Sequence, residues 1–154
     1  MTKASTPLII STSQAMETLG ALVARTLTAP CIVYLRGDLG AGKTTLVRGA
    51  LRELGHQGHV KSPTFTLVES YSLANLEIHH FDLYRVTDPA ELDYIGISEY
   101  LHSNSICWFE WPDLGAHMVP KANLEITIHY HEQGRACIIE GVDSSGWEMP
   151  DRNC

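Results

Sequence analysis

Apolar and polar positions along this chain follow two periods, one of about 3.6 residues and one of about 2, and the switches between them mark out the elements. Leu8-Ile9-Ile10 predicts a short first strand. Ser11, Thr12 or Ser13 then offers an N-cap, with Glu17 placed to support a start at Ser13 or Gln14. Ala15, Met16, Leu19, Leu22, Val23, Ala24 and Leu27 recur at helical spacing, a helix of about four turns that ends near Ala29-Pro30. The run Cys31–Leu35, β-branched and aromatic, reads as a buried strand. Leu46, Val47, Ala50, Leu51 and Leu54 give a second helix, stopped by Gly55.

Downstream the period shortens. Gly55–Pro63 is a loop by its glycines, polar residues and proline. Thr64 to Tyr71 alternates as a strand, Ser72–Asn75 is a turn, and Leu76–Asp82 is the return strand of an antiparallel hairpin. Asp88, Pro89 and Glu91 open a short helix as N-cap, N1 and N3, and Gly96 ends it. Ile97–Leu101 adds another helical turn or two. Ile106–Phe109, closed by Glu110, is a second strong buried strand. Leu114–Asn123 reads as loop. Leu124–Tyr130 and Arg135–Ile139 form a hairpin across His131–Gly134. The expected architecture is α/β, with a mixed sheet that includes antiparallel hairpins. One domain is expected over residues 1–154, with a core from 8 to 141 and a polar tail from 142 to 154.

Composition narrows the class. At 44 % hydrophobic and 19 % charged, the chain fits a soluble globular protein, and no apolar run approaches membrane-spanning length. The polar N-terminus carries no signal-peptide core, so a cytoplasmic location is expected, with no membrane partner. The cysteines at 31, 107, 137 and 154 show no C-x-x-C pairing, and three sit in apolar strand-like runs as small buried hydrophobes. The net charge of −7 argues against a broad basic face for nucleic acid, so any RNA contact is expected from a protein partner.

The candidate chemistry starts between the first buried strand and the second helix. Gly37-Asp38-Leu39-Gly40-Ala41-Gly42-Lys43-Thr44-Thr45 fits the phosphate-binding pattern G-x-x-x-x-G-K-[ST]. Glycine lets such a loop wrap its N–H groups around an anion, and the following helix adds orphan donors and a favourable dipole. Lys43 is placed to reach the β/γ-phosphates and Thr44 to hold Mg²⁺. A ligand-free glycine turn is the bland alternative; the strand before and helix after argue against it.

Further candidates are carboxylates and hydroxyls. Asp82 and Glu110 end apolar strands, where α/β sheets place their ligands. Glu110 is the first choice for a Mg²⁺ ligand and Asp82 for an acid that orients water; the two roles could be exchanged, and a strand-end carboxylate that caps a helix or binds Arg85 is the alternative. Thr64, in Ser62-Pro63-Thr64-Phe65-Thr66, lies about twenty residues past the phosphate loop, where nucleotide switches carry a sensing hydroxyl. His79 and His80 should point to opposite faces of a strand, one partly buried and one exposed, and so not share an ion. Asp93-Tyr94-Ile95-Gly96 matches D-x-x-G but falls in a helix, and no N-K-x-D motif selects guanine, so adenine is the default base. Arg85 and Arg135 are candidates for nucleotide contact against the alternative of surface ion pairs.

In order, Gly37–Thr45, Ser62-Pro63-Thr64-Phe65-Thr66-Leu67-Val68-Glu69, His80-Phe81-Asp82-Leu83-Tyr84-Arg85 and Glu110-Trp111-Pro112 resemble the bacterial ATPase family of tRNA threonylcarbamoyladenosine synthesis, TsaE (YjeE). The likeness runs from about residue 8 to 140. Phe65 stands where the family pattern often has tyrosine, and the tail after Gly141 matches nothing. The resemblance implies a P-loop NTPase-like three-layer α/β/α fold with a mixed sheet. It implies ATP and Mg²⁺ as cofactors, and a TsaD–TsaB-type heterodimer as partner, through which tRNA is met indirectly. Hydrolysis is implied to reset that complex. By the same likeness Gly37, Leu39, Gly40, Ala41, Gly42, Lys43, Thr44 and Thr45 bind the nucleotide, Glu110 holds Mg²⁺ with Thr44, Asp82 supports hydrolysis, and Trp111 lies beside the site. Ser13 and Arg135 are implied to approach the nucleotide. Two other classes stay open on the residues alone: a nucleotide-gated binding module in which turnover is incidental, and a small-molecule kinase, for which an arginine-rich lid is missing.

Overall fold

The computed structural model describes residues 6–144 together with 147 and 149. Most of the expected polar tail and the cysteine at 154 therefore lie outside the described residues. In chain order the elements are β1 (Leu8–Ile10), α1 (Ser13–Thr26), β2 (Cys31–Gly37), α2 (Lys43–Glu53), β3 (Val68–Leu73), β4 (Leu76–Asp82), α3 (Ala90–Tyr94), α4 (Ile97–Tyr100), β5 (Ser105–Glu110), a 3₁₀ segment (Pro112–Met118), β6 (Leu124–His131) and β7 (Gly134–Glu140). The fold is mixed α/β, and its strands pair both parallel and antiparallel. The chain divides into two compact units.

The first unit holds the described residues up to Leu27, Arg36–Val60 and those from Leu124 onward. Here β7 pairs antiparallel with both β6 and β1, with Tyr130 opposite Arg135. Thr12 caps α1, its Oγ1 accepting from the Ala15 N–H at 3.0 Å. Ser13 is thus the first helical residue, and Glu17 faces Arg48 (3.8 Å) on α2 instead of closing a capping box. The two helices cross almost backbone to backbone. A Cβ on Gly20 would lie 2.0 Å from the Leu46 carbonyl oxygen, and one on Gly49 2.0 Å from that of Glu17. At the other end of α2, Gly55 takes φ 110°. The His56 N–H donates to Leu51 O (2.9 Å) and the Gly55 N–H to Arg52 O (3.2 Å), so the glycine stop expected there is a Schellman motif.

The second unit comprises Thr28–Leu35 and Lys61–Asn123. β5 runs parallel to both β2 and β4, and β3 lies antiparallel on β4. Phe81 and Phe109 stack flat, 4.6 Å between centroids, in a core with Leu83, Leu92, Ile97 and Cys107. α3 begins at Ala90 with Pro89 in the cap position, one residue later than expected, yet Asp88 and Glu91 make the capping bonds their spacing predicts. Asp88 Oδ1 accepts from the Ala90 N–H (3.0 Å), and Glu91 Oε2 reaches back to the Asp88 N–H (3.2 Å). Asp93 and Tyr94 close this helix and Ile95 caps it, so Asp93-Tyr94-Ile95-Gly96 lies away from a strand end. Cys31, Cys107 and Cys137 are free and buried, as the apolar runs around them required.

Two expectations for this unit fail. β3 begins only at Val68, so the strand expected from Thr64 is shorter by four residues. Residues 64–66 form a turn instead, closed by the Leu67 N–H on Pro63 O (2.9 Å), and Leu67 itself takes φ 72°. Ser62 Oγ lies 2.7 Å from Thr64 Oγ1 and Thr66 Oγ1 donates to Glu69 (3.0 Å); such local hydroxyl bonds compete with a sheet ladder. The loop expected from Leu114 is partly ordered into the 3₁₀ segment Pro112–Met118, which Pro112 opens and Ala116 (φ 47°, ψ −130°) interrupts.

Candidate functional site

In the first unit β2 delivers Gly37, and α2 starts at Lys43 with Gly42 as its N-cap at φ 110°. That cap has no side chain to bond the first-turn donors, and no acidic residue stands in the first turn. The N–H groups and positive dipole end of α2 are thus unopposed by any carboxylate of their own helix. Lys43 is buried, and its Nζ donates to Gly37 O at 2.6 Å, closing the loop on itself. Thr44 and Thr45 follow on the same first turn.

The β6–β7 hairpin grips the loop from outside. Arg135 Nε donates to Ala41 O (3.0 Å) and Nη2 to Gly40 O (3.1 Å), while the Tyr130 hydroxyl donates to Leu39 O (2.6 Å). The Arg135 guanidinium lies 4.4 Å over the Tyr130 ring. In a trans peptide the carbonyl and the following N–H point opposite ways. Anchoring the Leu39 and Ala41 carbonyls to the hairpin therefore turns the Gly40 and Gly42 N–H groups away from it. Ser13, Gly40, Ala41, Gly42, Thr45 and Arg135 line one recess of about 280 Å³. Residues far apart in sequence are thus brought to the loop, and an uncapped helix end with a buried lysine has the donor set for a phosphate chain.

In the second unit Asp82 and Glu110 are direct register partners at the carboxyl ends of β4 and β5, both buried. Glu110 also pairs with Leu35, two residues before Gly37 on β2. Asp82 Oδ1 accepts from the Tyr84 N–H (3.0 Å), and the Asp82 N–H donates to Leu67 O (2.9 Å). Behind Glu110 sits His80, fully buried, with Nε2 2.6 Å from Glu110 Oε2. Adjacent carboxylates of this kind suit a hard cation that takes oxygen ligands. Thr64, Phe65, Asp82, Arg85, Glu91 and Tyr94 line a recess of about 510 Å³. Arg85 lies 4.6 Å over the Phe65 ring, itself 83 % exposed. Trp111 takes φ 55° just past Glu110, with its ring 5.1 Å from that of Tyr84.

The histidine expectation is half right. His79 and His80 do point to opposite faces and to different partners, Ser70 and Glu110. Neither is exposed, however, at 6 % and 0 %. β4 is an interior strand between β3 and β5, and such strands are covered on both faces. His80 was missed as a site residue, although strand alternation puts it on the face of Asp82. Tyr130 was missed too, although the expected hairpin already set it opposite Arg135.

The model of the family described as threonylcarbamoyl adenosine biosynthesis protein TsaE matches residues 10–137. The chain is 54 % identical over 104 residues to a tRNA threonylcarbamoyladenosine biosynthesis protein TsaE of Haemophilus influenzae, across 68 % of this chain and 66 % of that protein. It is 40 % identical over 97 residues to the Bacillus subtilis protein of the same name, across 63 % and 60 %. Against the Rickettsia felis protein it is 35 % identical over 134 residues, across 86 % and 78 %. The chain thus spans just under two thirds of the first two relatives. A crystal structure of YdiB from Bacillus subtilis matches with a TM-score of 0.75 at 27 % identity, covering 94 % of this chain and 90 % of that one. Among the described residues no helix is long and apolar enough to cross a membrane. With a family match over most of its length, on the strand–loop–helix and the paired strand-end acids described above, this chain belongs to the TsaE family.

Proposed function

We propose that this chain is a small Mg²⁺-dependent ATPase of the cytoplasm that assists a TsaD–TsaB-type heterodimer in the threonylcarbamoyladenosine modification of tRNA. Hydrolysis resets that complex. The reading is carried by one observation: the uncapped amino end of α2, with Lys43 buried at its start and the loop carbonyls held outward by Arg135 and Tyr130.

Each residue has a role in this reading. Lys43 and the loop N–H groups from Gly37 to Thr45 bind the phosphates. The Thr44 hydroxyl and the Glu110 carboxylate hold Mg²⁺, and His80 orients Glu110. Asp82 orients the attacking water. Thr64 senses the γ-phosphate, and Ser13 and Arg135 shape the recess on the other side of the loop. Bound Mg²⁺ supplies positive charge that neutralises the developing charge of phosphoryl transfer. Among the described residues no arginine finger is evident, so hydrolysis by the isolated protein is slow and rises with the partner. Its acidic balance leaves the RNA contact to that partner.

The test is tRNA modification reconstituted with TsaD–TsaB, with this chain present, absent, or carrying Lys43→Ala. Modification over repeated turnovers should need the intact chain and ATP. Equal yield with Lys43→Ala, or an ATPase rate indifferent to TsaD–TsaB, would overturn the reading.

A further inference from the structure

The amino-terminal ends of β4 and β5 carry a second group of chemically competent side chains. Glu77 and His79 are two apart on β4 and share a face; His102 lies between α4 and β5. One ligand atom from each can be chosen so that all three lie within 4.8 Å of one another. Glu77 Oε2 stands 2.6 Å from His102 Nε2 and 3.4 Å from His79 Nε2. The His79 side chain is only 8 % exposed, and its Nε2 is covered and has no hydrogen-bond partner. A buried polar nitrogen in that state calls for an explanation.

The partner of its other nitrogen supplies one. His79 Nδ1 lies 2.7 Å from Ser70 Oγ. That hydroxyl can accept the ring proton, and in that tautomer Nε2 presents a lone pair toward a carboxylate, which has no proton to give. Two acceptors then face each other across 3.4 Å, a repulsion that a cation between them relieves. We propose that Glu77, His79 and His102 form a site for a zinc-class divalent cation, with water in the fourth position.

The donor set supports that class. Two imidazoles and a carboxylate are ligands that zinc takes in tetrahedral sites, whereas Mg²⁺ prefers oxygen throughout. Ser70 is the outer partner that fixes the tautomer and orientation of a ligating histidine. His79 is the fixed member, packed edge-on against Tyr100 at 4.8 Å. The Glu77 and His102 side chains are 45 % and 37 % exposed and are free to close onto the ion. His102 Nε2 now shares its proton with Glu77, while His102 Nδ1 accepts a long bond (3.3 Å) from the Asn104 N–H. Cation binding shifts that proton to Nδ1 and gives up the long bond.

The experiment uses the full chain stripped with a chelator. Zn²⁺ is titrated against a chromophoric competitor, and Co²⁺ binding is followed by its visible absorption. One equivalent should bind, Co²⁺ should show the intense bands of tetrahedral coordination, and the metal should raise the melting temperature. Glu77→Gln and His102→Gln, both at half-exposed positions, should each weaken Zn²⁺ binding by more than about tenfold and abolish those bands. His56→Gln and His131→Gln should change neither. The proposal is overturned if Zn²⁺ affinity is unaltered in Glu77→Gln and His102→Gln, or if it falls equally in His131→Gln, which would mean scattered surface histidines.

Discussion

His80 Nε2 lies 2.6 Å from Glu110 Oε2, both side chains buried, so the acid at the end of β5 is held by a residue of β4. His80→Ala removes that bond. The Mg²⁺ concentration for half-maximal ATPase activity should rise about tenfold, and stability should fall by about 1–3 kcal/mol. His80→Gln keeps an N–H donor and should recover part of the Mg²⁺ requirement. A Mg²⁺ titration and urea unfolding read both effects, and an unchanged requirement in His80→Ala would remove His80 from the site.

Gly20 and Gly49 are set against the backbone of the opposite helix. On an exposed helix Gly→Ala gains about 1 kcal/mol. Here the added methyl would sit 2.0 Å from a carbonyl oxygen, so the collision decides the sign. Gly20→Ala and Gly49→Ala should each destabilise the protein by about 1–3 kcal/mol or more, seen as a lower urea midpoint.

Arg135→Ala should cut the affinity for Mg·ATP by about tenfold with the fold intact, because two charge-assisted bonds to the loop carbonyls disappear. Arg135→Lys should not restore it, since an ammonium lacks the planar fork that meets both carbonyls while stacking on Tyr130. Calorimetric titration with circular dichroism as a fold control is the measurement. Wild-type affinity in Arg135→Lys would show that charge alone suffices.

Burial pushes the Cys107 thiol up to about 11 and the Cys137 thiol up to about 12, and raises Cys31 as well. Thiolate is the reactive form, and at pH 8 a thiol of pKa 11 is ionised to roughly one part in a thousand. Native protein treated with iodoacetamide at pH 8 should leave these three cysteines unmodified, and denatured protein should lose all three. Peptide mapping distinguishes the sites; rapid native labelling of Cys137 would contradict the packing around β7.

What could be seen in the sequence was whatever local chemistry decides. The bounds of β1 and β4, the Asp88–Glu91 capping box and the Gly55 stop all follow from neighbours within a turn or two. The glycine-rich loop between β2 and α2 and the places of Asp82 and Glu110 at strand ends were legible for the same reason. The misreadings have both local and tertiary causes. Residues 64–66 alternate like a strand, yet their hydroxyls bond locally and Leu67 takes a left-handed backbone. His79 and His80 look polar enough for a surface, but an interior strand buries both. Of the three candidate caps before α1, Thr12 is the one that takes the place. The hairpin register was legible, but the grip of Tyr130 on Leu39 joins residues 91 positions apart, which no single window of sequence contains.

The Arg135 and Tyr130 clamp also bears on engineering. The nine residues from Gly37 to Thr45 specify their own flexibility, but their curvature is written into a hairpin more than ninety positions later. Transplanting that short motif into another scaffold would carry the letters without the bend. A successful graft must bring the two aromatic and cationic braces along with it.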